Sequence, residues 1–202
     1  KHLIPLFSYI WLKGRCAVCL SKFSPLYFFM ELFSGIAITW LYFKFGFSFS
    51  FFILTTNYFL LTTIFIYDLR HKIIPDLFVY SFIILSSIYY FVSSDLSFHL
   101  SIFPFLISLV FVPLPFFLIW LFSKGRLLGF GDVKFMVGMG ALFGLAKGMS
   151  AVFVSFWIGS AYVIILLVLN RKLSMKSEVP FGPFLVLATI ISFFFQINLF
   201  NF

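Results

Sequence analysis

Two aspartates stand where acid–base chemistry could be done. Asp68 directly follows the uncharged apolar run Phe47–Tyr67 and opens the stretch Asp68-Leu69-Arg70-His71-Lys72-Ile73-Ile74-Pro75-Asp76. Asp132 closes Gly129-Phe130-Gly131-Asp132, just ahead of another apolar run. Two carboxylates held close together cannot both ionise, so they share one proton. The ionised one can take a proton from water while the protonated one donates to a carbonyl oxygen. Such a pair hydrolyses a peptide bond without a covalent intermediate or a metal. Gly129 and Gly131 are expected to let the backbone approach a substrate strand and to adopt positive φ. The plainer reading makes both aspartates headgroup-region residues paired with Arg70 and Lys134.

The other candidates are weaker. Asp95 and Glu178 are expected in solvated loops, and His71 at the surface. Asp76 precedes Leu77 as a helix N-cap would. Glu31 sits one turn into an apolar run, where it is either buried and paired or in contact with the positive end of a substrate helix. Cys16 and Cys19 are spaced as half of a four-ligand zinc site, with an idle reduced thiol pair as the alternative. Pro180–Pro183 reads as a helix-entry turn lining the site, and the Phe-rich stripes as lipid-facing or packing surface.

These residues must be positioned by membrane helices. Of 202 residues, 63% are hydrophobic and 10% charged. That excludes a soluble domain and a disordered chain, whose charged fractions are far higher. Two cysteines exclude a disulfide framework. A net charge of +8 fits basic loops on one side of a membrane better than nucleic-acid binding, which is not expected. Stretches of about 20 apolar residues mark crossings. About seven are expected: Leu26–Phe43, Phe47–Tyr67, Leu77–Val92, Leu100–Phe122 (with kinks at Pro104, Pro113 and Pro115), Val133–Leu145, Met149–Leu169 and Pro183–Phe200. Val133–Leu145 has a re-entrant segment as its alternative. Twelve basic residues fall in alternate loops and two, Lys44 and Lys147, in the opposite ones. This predicts an all-α polytopic protein with Asp68 and Asp132 at cytoplasmic helix ends. Residues 1–24 form a cytoplasmic N-terminal segment and residues 25–202 a transmembrane domain. Because Lys1 replaces the usual Met, the chain is expected to be processed, truncated or a fragment.

Further motifs accompany the aspartates. The chain opens with Ile4-Pro5-Leu6-Phe7-Ser8-Tyr9, then Gly14-Arg15-Cys16-Ala17-Val18-Cys19, Ser24-Pro25 and Glu31-Leu32. Pro75-Asp76 follows Asp68, Gly129–Lys134 leads to Gly140-Ala141 and Gly144, and Pro180-Phe181-Gly182-Pro183-Phe184 comes near the end. In this order they resemble the bacterial type IV prepilin peptidases, and the resemblance covers nearly the whole chain. It implies a polytopic inner-membrane aspartic endopeptidase whose active site faces the cytoplasm. It implies Asp68 and Asp132 as the catalytic pair, with Gly129, Gly131, Pro180, Gly182 and Glu31 binding substrate or shaping the site. The implied substrates are prepilins or pseudopilins, with a basic leader cut after a Gly and an apolar helix in the bilayer. No cofactor is implied for proteolysis. S-adenosylmethionine for N-methylation, and zinc at two Cys-x-x-Cys pairs, belong to a complete family member. Here one pair is present, and seven spans stand against the usual eight.

Two other readings use the same residues. A presenilin-like intramembrane protease shares Gly-x-Gly-Asp but has no counterpart of the cysteine segment. An ion-coupled transporter would use both aspartates to bind a cation or proton, but more often near mid-membrane.

Overall fold

The computed structural model describes residues 5–17, 19–94, 98–169 and 180–200. Asp95, Glu178 and four of the basic residues counted above, Lys1, Arg171, Lys172 and Lys176, lie outside them. Among the described residues, eight helical stretches run in the order α1 (Pro5–Trp11), α2 (Pro25–Phe45), α3 (Phe49–His71), α4 (Asp76–Ser93), α5 (Phe98–Phe111), α6 (Leu114–Ser123), α7 (Phe130–Val168) and α8 (Gly182–Phe195). Among the described residues the only extended pairing is an isolated bridge between Arg15 and Lys22. The architecture is therefore all-α. Contacts group it into two units, residues 1–55 and 56–202.

In the N-terminal unit, α1 packs on α2. Ser24 caps α2, its hydroxyl accepting the Leu26 N–H at 3.3 Å, and Pro25 fills the first turn, where no N–H is needed. Gly46, at φ 57°, ends the helix with its N–H on the Tyr42 carbonyl.

In the larger unit, α7 is the central element, against which α4, α5, α6 and α8 pack. Small residues let the backbones approach, as membrane helices require when no hydrophobic force drives them together. Gly138 lies beneath the Phe82 ring, which stacks on Phe135 with centroids 5.1 Å apart. Gly140 meets the backbone of α5, where the Ser108 hydroxyl donates to its carbonyl at 3.0 Å. Outward faces carry large apolar residues such as Phe103, Phe122 and Trp157, 69%, 82% and 62% exposed. Such faces suit contact with lipid, and away from the helix ends most backbone groups pair within their own segment.

Five stretches among the described residues are long and apolar enough to cross a bilayer: α2, α3, α4, the α5–α6 run Ser101–Ser123, and α7. The α5–α6 run is interrupted at Pro113 and Pro115, which have no N–H to donate. The expected spans Val133–Leu145 and Met149–Leu169 correspond to two helices joined at Gly144 within the continuous stretch α7. Its 39 residues would extend about 58 Å if straight. It is not straight, because Gly144 adopts φ 75°, ψ −173°. Beyond that point the chain folds back, so that a Cβ on Gly148 would lie 3.4 Å from the Gly140 Cα. The expected last span becomes α8, which stops at Phe195. Gln196 takes the left-handed conformation there, and its side-chain oxygen accepts from Lys147 Nζ at 2.9 Å.

Candidate active site

Asp68 lies in the last turn of α3, and Lys72, at φ 54°, terminates that helix with its N–H on the Asp68 carbonyl at 2.8 Å. Pro75 then sets up α4. Asp132 lies in the first turn of α7, where Gly129 is the N-cap. Its carboxylate reaches back to the Gly129 N–H, the reciprocal half of a capping box. A Cβ on Gly129 would sit 3.3 Å from Asp132 Oδ2.

Both carboxylates line one cleft of about 700 Å³, with Lys72, Asp76, Arg126, Pro180 and Phe181 among its walls. Asp68 is 3% exposed and Asp132 9%. They are near enough for the charge of Asp68 to act on Asp132. Buried carboxylates in that relation favour a single shared proton. The arrangement suits a water held between an ionised and a protonated carboxyl.

Sequence reasoning gave no role to Ile74. It is buried and touches both glycine segments: a Cβ on Gly131 would lie 3.2 Å from Ile74 Cβ, and one on Gly182 3.1 Å from its Cδ1. Its signal was an apolar Ile73-Ile74 pair in an otherwise charged loop. Lys72 and Arg126 were likewise unassigned cleft residues.

Several expectations are corrected. Gly129 has φ −72°, and Gly131 is helical, so neither uses positive φ. Gly131 is needed for space, because Ile74 packs where a side chain would stand. Asp76 is the first residue of α4, Pro75 is its N-cap, and no side chain caps that helix. The Asp76 carboxylate pairs with Lys134 instead, so Lys134 is not the partner of Asp132 that the plainer reading required. The pair joins the starts of α4 and α7. Because the Asp76 side chain is 60% exposed, Asp76→Asn is expected to cost under ~1 kcal/mol. Denaturant titration in detergent measures this, and a loss above ~3 kcal/mol would mark the pair as a buried one.

The remaining candidates fall as follows. Pro180 lines the cleft, and the Gly182 N–H donates to the Asp68 carboxylate. His71 is exposed, its ring 4.5 Å from that of Tyr67. Glu31 lines a separate recess of about 450 Å³ within the N-terminal unit, beside Tyr9, Arg15, Cys16 and Phe28. Cys16 and Cys19 are free thiols on the turn closed by the Arg15–Lys22 bridge. The Cys19 thiol is lowered to about 7, first by the Ser21 hydroxyl 3.1 Å away, then by the Ser21 N–H and by Cys16. A structural zinc site takes four ligands, of which this pair could be two at most. Among the described residues no group of three or more His, Cys, Asp or Glu side chains could hold a metal.

A sequence model of the type IV leader peptidase family matches residues 55–164, and one of the bacterial peptidase A24 N-terminal domain matches residues 1–45. The chain is 29% identical over 197 residues to the prepilin leader peptidase/N-methyltransferase of Vibrio cholerae, a match covering 95% of this chain and 74% of that protein. It is 29% identical over 203 residues to the protein of the same name from Legionella pneumophila, covering 98% and 69%. The Pseudomonas aeruginosa relative is 28% identical over 192 residues, covering 92% and 63%. No solved structure matches.

Proposed function

Because the chain belongs to the type IV leader peptidase family and is a protease carried on apolar helices, we propose that Asp68 and Asp132 are the catalytic pair that removes the basic leader from type IV prepilins or pseudopilins. The observation that carries this reading is the burial of both carboxylates in one cleft, each accepting a glycine N–H. The ionised aspartate takes a proton from water as the water oxygen attacks the scissile carbonyl carbon. The protonated aspartate gives its proton to the carbonyl oxygen. When the tetrahedral intermediate collapses, the C–N bond breaks, and the proton taken from water goes to the leaving nitrogen. No cofactor enters these steps. The site faces the cytoplasm of the inner membrane, a reading supported by the twelve-to-two distribution of basic residues.

N-methylation of the new terminus, named in the relatives, is the second activity we propose. When bound, S-adenosylmethionine would supply the methyl group. The recess of the N-terminal unit, with Glu31 beside Tyr9 and Phe28, has the acidic and aromatic groups that suit a cationic sulfonium. Zinc would need two further ligands beyond Cys16 and Cys19. Cys16→Ser with Cys19→Ser should therefore keep at least about half of the cleavage rate, since an aspartate pair needs no thiol or metal. Loss of cleavage in a correctly inserted double variant would show that the cysteine segment is required for hydrolysis.

The deciding experiment incubates the purified protein in liposomes with a full-length prepilin and maps the products by mass spectrometry. One cut, after a Gly between leader and apolar helix, is expected. Cuts inside the apolar segment would favour the presenilin-like reading. Aspartate-dependent ion flux without cleavage would favour a transporter.

A further inference from the structure

The two carboxylates are held by main chain of different origin. Asp132 takes the N–H of Gly129, three residues back at its own helix start. Asp68 takes the N–H of Gly182, the first residue of a helix remote in the sequence. The first N–H groups of a helix have no partner within it, and its positive end favours an anion. Pro183 has no N–H, and the Phe184 N–H is already given to the Phe181 carbonyl at 3.0 Å. That leaves the Gly182 N–H as the donor of this turn that serves the carboxylate.

The contact depends on residue 182 having no side chain. A Cβ there would fall on the Asp68 carboxylate oxygen, 3.0 Å from Cγ and 3.1 Å from Ile74 Cδ1. Gly182 does not have positive φ, so the position calls for space and not for backbone freedom. With Asp68 only 3% exposed, bulk water has little access to replace the donor.

We propose that Gly182 is the positioning residue of Asp68: its N–H, admitted by the missing side chain, orients the ionised carboxylate toward the shared cleft. This rests on Asp68 being catalytic, and the tests separate the two claims. Asp132 on α7 is the coupled neighbour. Asp76, Lys72 and Arg126 line the same cleft, and Arg70 shares the helix end. None of these is altered by a change at residue 182.

Gly182→Ala is expected to lower kcat about 100-fold, the effect of displacing a reacting group by an ångström, with KM changed less than about threefold. The acidic limb of the pH–kcat profile should move to higher pH, because the ionised form loses a donor. Should that variant fail to insert, cell-free synthesis with an amide-to-ester exchange at Gly182 deletes the N–H without adding a side chain, and the same limb should move. Unchanged kcat, or a lower kcat with an unmoved pH profile in the ester form, overturns the positioning role. If Asp68→Asn assayed alongside stays active, the reading of Asp68 itself fails, whatever Gly182 does.

Discussion

Asp68→Asn and Asp132→Asn are each expected to abolish leader cleavage, with losses of at least about a thousandfold, or roughly 4 kcal/mol in the barrier. Asn is nearly isosteric with Asp but cannot exchange a proton at the pH of reaction. Asp68 could still accept the Gly182 N–H through an amide oxygen, so the fold should survive the change. The double variant should be no worse than either single one, because residues acting as a unit are not additive. Activity requires one carboxyl ionised and one protonated, so wild-type rates should trace a bell against pH, whose limbs belong to the pair and not to either residue. Reagents against catalytic serine or cysteine, and chelators, should leave the rate unchanged. The measurement is cleavage of a purified prepilin by each variant in liposomes. A single variant retaining more than about a tenth of the wild-type rate, a loss under ~1.4 kcal/mol, would sink the pair mechanism for that residue.

The largest structural effect is expected at Gly140. A Cβ there would lie 2.6 Å from the Ser108 carbonyl oxygen and 3.2 Å from its carbon. These are backbone atoms of α5, which cannot rotate aside as a side chain can. Gly140→Val would force α5 and α7 apart, strain the Ser108 hydrogen bond and loosen the buried contacts around Val112 and Met139. Overpacking a core costs about 1–3 kcal/mol, and backbone against backbone puts this site at the top of that range. Gly35 is the control. Nothing lies within 4 Å of its Cβ direction, and it sits inside α2, so Gly35→Ala should be neutral or gain up to about 1 kcal/mol. Unfolding titrations in detergent report both. Equal stability of the two variants would contradict the close α5–α7 packing.

Both predictions depend on contacts between distant segments, which divides what could be read in advance from what could not. The apolar runs, the breaks at Pro113 and Pro115, and the isolation of Asp68 and Asp132 at the ends of such runs were legible in the residue order. Each follows from a local average: hydropathy over about 20 residues decides burial in lipid, and a missing N–H decides a break. Their meeting in one cleft was also expected, because alternation of charge put both on one membrane side. The supports of that cleft were not legible. Gly131 was expected to take positive φ beside a substrate strand and proves to be a seat for Ile74. Asp76 was taken for a cap and proves to be the partner of Lys134. Gly182 was assigned to a lining turn and proves to donate to Asp68. Periodicity and composition describe how a segment meets its surroundings on average. Which atom occupies the space left by an absent Cβ depends on helix crossings, set by small residues such as Gly138, Gly140 and Gly148 far along the chain. The reversal at Gly144 belongs here too, since one glycine in a small-residue run looks like its neighbours until packing selects it for the turn. The residue types by themselves determined a helical membrane protein with two carboxylates able to share a proton. Tertiary packing alone decided which main-chain groups hold those carboxylates in place.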